Sequence, residues 1–542
     1  MEGSILSPME KASVRATVFG HLAGLVIAPV VKALSDRRVF EMFNARNTWV
    51  QADRIVEQTG ANRGYLRVAL RMLTSYGWIE QKHSAYRVTD EGVIAFQIAP
   101  RLYDEVVPFL PIAIFLEDFL FGRPHDPIPS SLQVLIPKAK KGWGLASPCD
   151  SCTALVFDRI RGQLDGILLG PAMVALARAG VFEQLKTGPV DVKAIGGNQR
   201  CLDALFDLLA SVGWMTRNQR LVQLTSCGAY AAEIAGSYGV TVSYIPLFTV
   251  VSSLLFGNAR IPRMDKSGAE IFVNRAINVW GSGGAHKNYF KKVEEIITDL
   301  FNRPIELQPH GICDMGCGDG TLLEHLYSVV KHRTFRGEML EKCPLILVGA
   351  DFSKVARRIT TQRLRKAGIP TFHIIPGDIN RPAQLANDLE KLGHDAHDLL
   401  HVRSFLDHNR PYLPPSNYTR GTRTPKSTGA FAQFGEEIRN DELEENLVRH
   451  LRRWAPYVGR FGLLLIELHT LSPEIVAPNL EKTPVVAYDG THGFSDQYLV
   501  ELPVFLECAR EAGLTANPRY AASFPPSNLA TVSINLFAVA QP

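Results

Sequence analysis

A glycine-rich segment in the second half of the chain has the composition of a ligand-binding loop. In GICDMGCGDGTLLEHLY (311–327), an apolar strand is predicted to end at Asp314, and a helix is predicted to follow Gly316, Gly318 and Gly320. Glycine allows sharp turns and close backbone approach to a ligand, and a helix N-terminus favours a carboxylate. Alone, this motif is also typical of dinucleotide-binding folds.

Acidic residues at two later strand ends narrow the choice of ligand. LILVGADFS (345–353) predicts a buried strand ending in Asp351, whose carboxylate can accept both hydroxyls of a ribose. IIPGDIN (374–380) predicts a strand ending in Asp378, which can accept a hydrogen bond from an adenine amine while Ile379 packs on the ring. The combined series favours S-adenosylmethionine (SAM) over a nicotinamide cofactor.

These positions also predict which part of SAM each residue contacts. We expect Asp314, Gly316 and Gly318 at the methionine moiety, Asp351 at the ribose and Asp378 at the adenine amine. Methyl transfer from SAM is a displacement at a sulfonium methyl, so the protein has to position and activate a nucleophile.

The elements that carry this site alternate between strand and helix. HDLLHVRSFLDH (397–408) and FGLLLIELHT (461–470) supply two further predicted strands. The alternation predicts an α/β fold, a seven-stranded Rossmann-like sheet of a class I SAM-dependent methyltransferase, from about Gln308 to Pro542.

The first half of the chain contains an internal repeat. Residues 27–43 (IAPVVKALSDRRVFEMF) match 169–185 (LGPAMVALARAGVFEQL), and residues 66–80 match 202–216. Each copy combines helical periodicity, Gly-Trp and a short alternating strand, which predicts a duplicated, mainly helical winged-helix-like module.

Winged helices can bind DNA, but the charges favour another role. The presumed recognition helix carries Arg63, Arg67 and Arg71 in the first copy, but Asp203 and Asp207 in the second. Acidic residues there would repel phosphate, and a net charge of only +4 does not indicate a nucleic-acid-binding surface. We therefore expect a lid, or the interface of a homodimer, and no nucleic-acid partner.

The chain is expected to divide into four segments. These are a first winged-helix-like module, a linker, a second module with a helical lid, and the methyltransferase domain, at residues 1–122, 123–160, 161–300 and 301–542. The absence of an uncharged apolar stretch of about 18 residues argues against a membrane span. Eight scattered cysteines favour a reducing cytoplasm.

Longer motifs carry a narrower resemblance. HVRSFLDHNRPY (401–412), LLLIELHTLSPE (463–474) and AYDGTHGFSDQYLVELPVFLECAREAGL (487–514) resemble the C-methyltransferases of polyketide assembly lines, of the apratoxin loading-module type. The resemblance covers about residues 270–542. It implies C-methylation of an acyl thioester bound to an acyl carrier protein, acting in trans. In GSGGAHKNYF (281–290), His286 and Tyr289 are candidates for the roof of the active site.

The resemblance also implies a metal, because some members bind mononuclear Fe(II) or Mn(II) beside SAM. The candidate ligands here are His408, after the fourth strand, with His492 and Gln497 in a predicted glycine-containing loop. Two histidines and an oxygen donor suit a divalent transition metal, which would stabilise an enolate. The alternative is a metal-free His408 that acts as a general base.

Two other functions remain open at this point. O-methylation of a phenolic metabolite is one, because winged-helix modules also accompany that class of enzyme. A winged-helix regulator that senses SAM without catalysis is the other.

Overall fold

The structure is a computed structural model, and the part of the chain that it describes falls into two units. The described residues are 6–43, 48–123, 126–146, 148, 150–266, 270–419 and 421–539, with the backbone alone at 283–288. Unit 1 consists of Met1–Ala285, Ala432–Glu437 and Ser472–Asp496. Unit 2 consists of His286–Phe431, Ile438–Leu471 and Gln497–Pro542. Two segments of the C-terminal half therefore belong to the N-terminal unit, which no sequence pattern indicated.

Unit 2 is built on a sheet of eight strands. In chain order these are β1 Gly311–Met315, β2 Ile346–Asp351, β3 Phe372–Pro376, β4 Leu399–Ser404, β5 Leu463–Leu468, β6 Leu514–Ala516, β7 Ala522–Phe524 and β8 Val532–Val539. Their order across the sheet is β6-β8-β5-β4-β1-β2-β3, and β7 pairs with β8 beside this path. The Rossmann-like prediction is confirmed, with one short strand more than the predicted seven.

The central strands run parallel, so their carboxyl ends meet at one edge of the sheet. β1 pairs in parallel with both β4 and β2, whereas β8 is antiparallel to β5. β1 is buried throughout and β4 at all but its last residue, because helices cover both faces of a parallel sheet. The unit 2 helices next to these strands are Thr321–Arg333, Lys354–Lys366, Pro382–Lys391, Asn440–Trp454 and Leu502–Glu511.

Unit 1 contains the predicted duplication. Its first copy has helices Ala52–Thr59 and Arg63–Ser75 followed by strands Ile79–Lys82 and Ala85–Val88. Its second copy has helices Val192–Ile195 and Gln199–Ser211 followed by strands Met215–Asn218 and Leu221–Leu224. In each copy a two-residue strand, Val50–Gln51 or Val190–Asp191, completes a three-stranded antiparallel sheet of the same order. The repeated architecture is that of a winged helix.

Two long helices, Pro8–Asp36 and Ser151–Arg178, form the centre of unit 1. A Cβ atom added to Gly24 would lie 2.2 Å from the carbonyl oxygen of Gln163, so glycine is what permits their close approach. By length and composition Pro8–Asp36 could cross a membrane, but 78% of its most apolar window is buried inside the protein. The predicted linker also contains regular structure, the helix Ser130–Lys140.

The arginines of the first winged helix are used inside unit 1. Arg67 pairs with Glu437 at 2.5 Å, and Arg71 pairs with Asp489 at 3.1 Å with both side chains buried. Both acids belong to the two segments that the C-terminal half contributes to this unit. The helix that would read DNA is therefore engaged with protein.

The second winged helix compensates its own acidic residues. Arg217, on the following strand, pairs with Asp203 at 2.6 Å and with Asp207 at 2.8 Å.

Candidate active site

The glycine loop after β1 adopts a backbone that only glycine tolerates well. Gly316, Gly318 and Gly320 have φ values of 82°, 55° and 81°. A Cβ atom on Gly316 would lie 2.8 Å from Leu406, and one on Gly320 would lie 2.8 Å from Thr360. The loop therefore combines left-handed backbone with close packing, as a ligand-cradling turn requires.

Asp314 is the buried carboxylate beneath this loop. Its side chain is only 2% exposed, and Oδ1 accepts no hydrogen bond from the described residues. Burial, followed by the negative charge of Asp351, raises the pKa of Asp314 to about 7. A buried carboxylate of this kind is stabilised by a cation, and the ammonium of the SAM methionine moiety fits that requirement.

Asp351, at the end of β2, ties the glycine loop to the next strand. Its Oδ2 accepts the Gly318 N–H at 3.1 Å, and its Oδ1 accepts the Ser353 N–H at 2.8 Å. Each oxygen keeps a second lone pair that a ribose hydroxyl can use. The backbone amides thus orient the carboxylate before any ligand arrives.

Asp378 and Ile379 lie just after β3. The Asp378 carboxylate accepts the Asn380 N–H at 2.9 Å, and Arg381 Nε lies 3.5 Å from its other oxygen. Ile379 is 6% exposed, and its carbonyl accepts the Trp454 indole N–H at 2.8 Å. Their contacts with adenine stay predictions.

His408 forms a dyad with a residue that sequence reasoning missed. His408 lies in the turn Asp407–Asn409 after β4, and its Nδ1 contacts the carboxylate of Glu467 near the end of β5. The second oxygen of Glu467 accepts the Asp407 N–H at 2.8 Å. Both side chains of the dyad are buried. An acidic residue inside the otherwise apolar run LLLIEL was the available signal.

This arrangement suits a general base. When Nδ1–H donates to Glu467, the ring takes the tautomer whose Nε2 carries the lone pair. The carboxylate then stabilises the imidazolium that forms when Nε2 accepts a proton, as in other carboxylate–histidine pairs. Glu467 lies on β5 and His408 in the turn after the neighbouring parallel strand β4, and the Asp407 N–H bond to Glu467 ties that turn to β5.

A buried polar cluster holds the turn that presents His408. Arg403 Nε lies 3.1 Å from Asp407 Oδ2, and the Arg403 guanidinium stacks over Trp454 at 4.7 Å. His450 Nε2 bonds to Asp407 Oδ1 at 3.1 Å, and burial lowers the pKa of His450 to about 4. A neutral His450 can donate to the carboxylate. Arg410 closes the cluster by donating to the Asp407 carbonyl at 2.8 Å.

The three candidate metal ligands do not all belong to the same unit. His408 and Gln497 belong to unit 2, whereas His492 belongs to unit 1. The predicted loop around His492 is wrong, because these residues end the helix Val485–Phe494, where Nδ1 of His492 bonds to the Tyr488 carbonyl at 2.7 Å.

Helix packing explains why the glycines near His492 do not mark a loop. A Cβ atom on Gly490 would lie 2.2 Å from Val26, and one on Gly493 would lie 2.6 Å from Val68. These glycines allow close helix contacts within unit 1. Among the described residues, no group of three or more His, Cys, Asp or Glu side chains could hold a metal ion.

Of the two candidate roof residues, the side chain of His286 lies outside the described part of the chain. Tyr289 packs edge-on against Phe405 at 6.2 Å and Phe524 at 5.0 Å between ring centroids. Burial raises the pKa of the Tyr289 phenol. Tyr289 thus lies beside Phe405, the residue that follows β4.

Sheet order, glycine loop and strand-end acids together define a class I SAM-dependent methyltransferase. Sequence comparison assigns the family: residues 270–535 match the AprA MT2-like domain, a methyltransferase family, residues 14–81 the AprA N-terminal domain and residues 165–258 the AprA winged helix domain. The second half of the chain is thus an AprA MT2-like methyltransferase domain, and AprA-type domains precede it.

Solved structures show more distant likenesses. Mitomycin 7-O-methyltransferase MmcR has 15% identity and a TM-score of 0.42, covering 71% of this chain and 98% of its own. An O-methyltransferase family protein from Burkholderia thailandensis has 12% identity and a TM-score of 0.38, covering 69% and 96%. The CurJ carbon methyltransferase has 13% identity and a TM-score of 0.32, covering 76% and 99%. These scores are too low to support any functional argument. No curated protein matches the sequence significantly.

Proposed function

We propose that this protein C-methylates an acyl thioester carried by an acyl carrier protein, in polyketide or related natural-product biosynthesis. The observation that carries the proposal is the buried His408–Glu467 dyad where β4 and β5 end, because carbon methylation needs a base for the α-proton. The match to the AprA MT2-like family supports methyl transfer, and the resemblance of the motifs to polyketide C-methyltransferases favours carbon as the acceptor.

The dyad gives each residue a defined task. His408 Nε2 accepts the proton from the α-carbon of a malonyl or β-ketoacyl thioester, which leaves the electron pair on that carbon. Glu467 stabilises the imidazolium that results. Such general-base assistance contributes typically about 10²- to 10⁴-fold in rate. When bound, SAM supplies the electrophilic methyl group, and we propose that Asp314, Gly318 and Asp351 hold it.

O-methylation of a phenolic metabolite is the second candidate. The same histidine could deprotonate a phenol, and the duplicated winged-helix architecture of unit 1 favours this alternative. A SAM-sensing regulator is a weaker alternative, because a buried His–Glu pair has no task in a protein that only binds SAM.

We propose a metal-free general base as the working form of His408. Its Nδ1 contacts the carboxylate of Glu467, and this contact fixes the orientation of the ring. The Fe(II) or Mn(II) ion with His408, His492 and Gln497 as ligands stays a prediction that elemental analysis tests.

The setting that we propose is a cytoplasmic enzyme, monomeric or homodimeric, whose macromolecular partner is the acyl carrier protein. The described cysteines form no disulfide, as is usual in a reducing compartment. The paired arginines of the winged helix support the absence of a nucleic-acid partner.

Labelled SAM distinguishes the candidate functions. The protein is incubated with methyl-labelled SAM and either a malonyl-loaded carrier protein or a panel of phenols, and products are located by mass spectrometry. Label on the α-carbon of the malonyl group supports the proposal. Label on a phenolic oxygen supports the second candidate, and no transfer to either substrate class favours the regulator.

A further inference from the structure

The helix Lys354–Lys366, which follows β2, has one face in the core and one in solvent. Thr360 and Leu364 are fully buried, and Thr360 Oγ1 donates to the Gly318 carbonyl at 2.9 Å. The inner face therefore supports the glycine loop. The outer face has a different composition and no role in the site described above.

The charges of this helix are all of one sign. Its 13 residues include no acidic residue. Its six cations are Lys354, Arg357, Arg358, Arg363, Arg365 and Lys366. Arg363 pairs with Asp319 and Glu324, and Arg357 donates to backbone carbonyls. Among the described residues, the other four form no ion pair.

Exposed apolar side chains lie among these cations. Val355 is 57% exposed and Ile359 is 40% exposed, and Phe352, just before the helix, is 78% exposed. Positions 352, 355 and 359 are spaced by three and four residues, the spacing that places side chains on one side of a helix. Apolar residues surrounded by charge are typical of the surfaces that proteins use for binding one another.

We propose that this outer face, the basic patch of Val355, Arg358, Ile359, Arg365 and Lys366, docks an acidic acyl carrier protein. The inference rests on the proposed function, because only a carrier-bound substrate requires a docked protein. Charge complementarity selects an acidic partner, and the apolar side chains would form the buried centre of the contact. The helix begins three residues after Asp351, so the docked carrier would lie beside the carboxyl edge of the sheet.

The test compares a carrier-bound substrate with a small one. The triple variant R358E/R365E/K366E is assayed with a malonyl-loaded acidic acyl carrier protein and with malonyl-pantetheine. We expect kcat/KM for the carrier substrate to fall about tenfold or more, while that for malonyl-pantetheine changes by less than about twofold. Higher salt should weaken carrier use by the wild-type protein. Unchanged SAM affinity would show that the inner face of the helix is intact.

A matched control carries the same change of charge elsewhere on unit 2. K291E/K331E/K342E reverses three exposed cations that form no ion pair among the described residues, and it should behave as the wild type. Equal losses in the two triple variants, or none in either, would overturn the proposal.

The docking site can be tested even if the proposed methylation does not occur. If neither malonyl substrate is methylated, anisotropy of a fluorescein-labelled carrier protein still reports docking to the full chain. Binding that only R358E/R365E/K366E loses would support the docking site, and binding equal in all proteins would overturn it. If labelled duplex DNA binds more tightly than the carrier and is lost in the same variant, the patch serves nucleic acid and the proposal is wrong.

Discussion

The backbone N–H of Gly318 donates to the carboxylate of Asp351 at 3.1 Å, which joins the glycine loop after β1 to the end of β2. The acid thus fixes the loop, and we predict that it also binds the ribose. We expect Asp351→Ala to weaken SAM binding by roughly 1.5–3 kcal/mol, the range for hydrogen bonds to a charged group. Titration calorimetry measures this, with Asp388→Ala, on the surface helix Pro382–Lys391, as control. Equal affinities would contradict the assignment.

SAM affinity should depend on pH through Asp314. Its pKa of about 7 means that the carboxylate is protonated in slightly acidic solution, where it attracts the SAM ammonium poorly. We expect the affinity to rise with pH up to about 7 and then level off. Asp314→Asn should bind SAM weakly with a flat pH profile, and a wild-type profile in that variant would exclude Asp314 as the cause.

The same raised pKa predicts the sign of a stability change. Between the ordinary carboxyl pKa and about 7, the folded state retains a proton that the unfolded state has lost. The free energy of unfolding without SAM should therefore fall as pH rises through this range. Thermal melts should show a higher Tm for Asp314→Asn than for the wild type at pH 8. The two proteins should converge near pH 4.

If the dyad acts as a general base, variants that disrupt it should lose catalysis without losing SAM binding. His408→Ala should abolish methyl transfer, and Glu467→Gln should lower kcat by about 10²- to 10⁴-fold, because the amide stabilises imidazolium poorly. Both variants should bind SAM nearly as the wild type does. A fully active Glu467→Gln protein would rule out the dyad.

Elemental analysis decides between base and metal. For the metal-free dyad, we expect protein purified without chelator to hold less than about 0.1 equivalents of iron or manganese, and EDTA to leave the rate unchanged. About one equivalent of either metal, lost in His492→Ala together with activity, would support the metal instead.

The buried ion pair between Arg71 and Asp489 should contribute strongly to the stability of unit 1, to which the segment 472–496 belongs. Arg71→Ala should destabilise this unit by about 3–5 kcal/mol, because it removes the ion-pair partner of a buried carboxylate. Arg38→Ala removes a long, exposed pair with Glu41 and should be nearly neutral. Urea unfolding compares the two. Little loss in Arg71→Ala would mean that the pair does not hold the segment.

The sequence by itself predicted the strand-end acids, the glycine loop between them and the repeated winged helix. Asp314, the glycines and Asp351 each lie at the junction of a strand with the turn that follows it. Such a junction is specified by neighbouring residues, so local pattern suffices to predict it. The repeat was visible for the same reason, because each copy is a short run of adjacent helices and strands.

Only the tertiary structure decided what the remaining chemical groups do. Glu467 meets His408 across 59 residues of sequence, through pairing of β4 with β5. Arg71 pairs with Asp489, which lies 418 residues later in the sequence. The helix that was a candidate for reading DNA therefore contacts another segment of the protein. Gly490 and Gly493 suggested a loop, yet they serve close helix packing. These contacts form only when distant segments fold together and become buried, so no local sequence pattern predicts them.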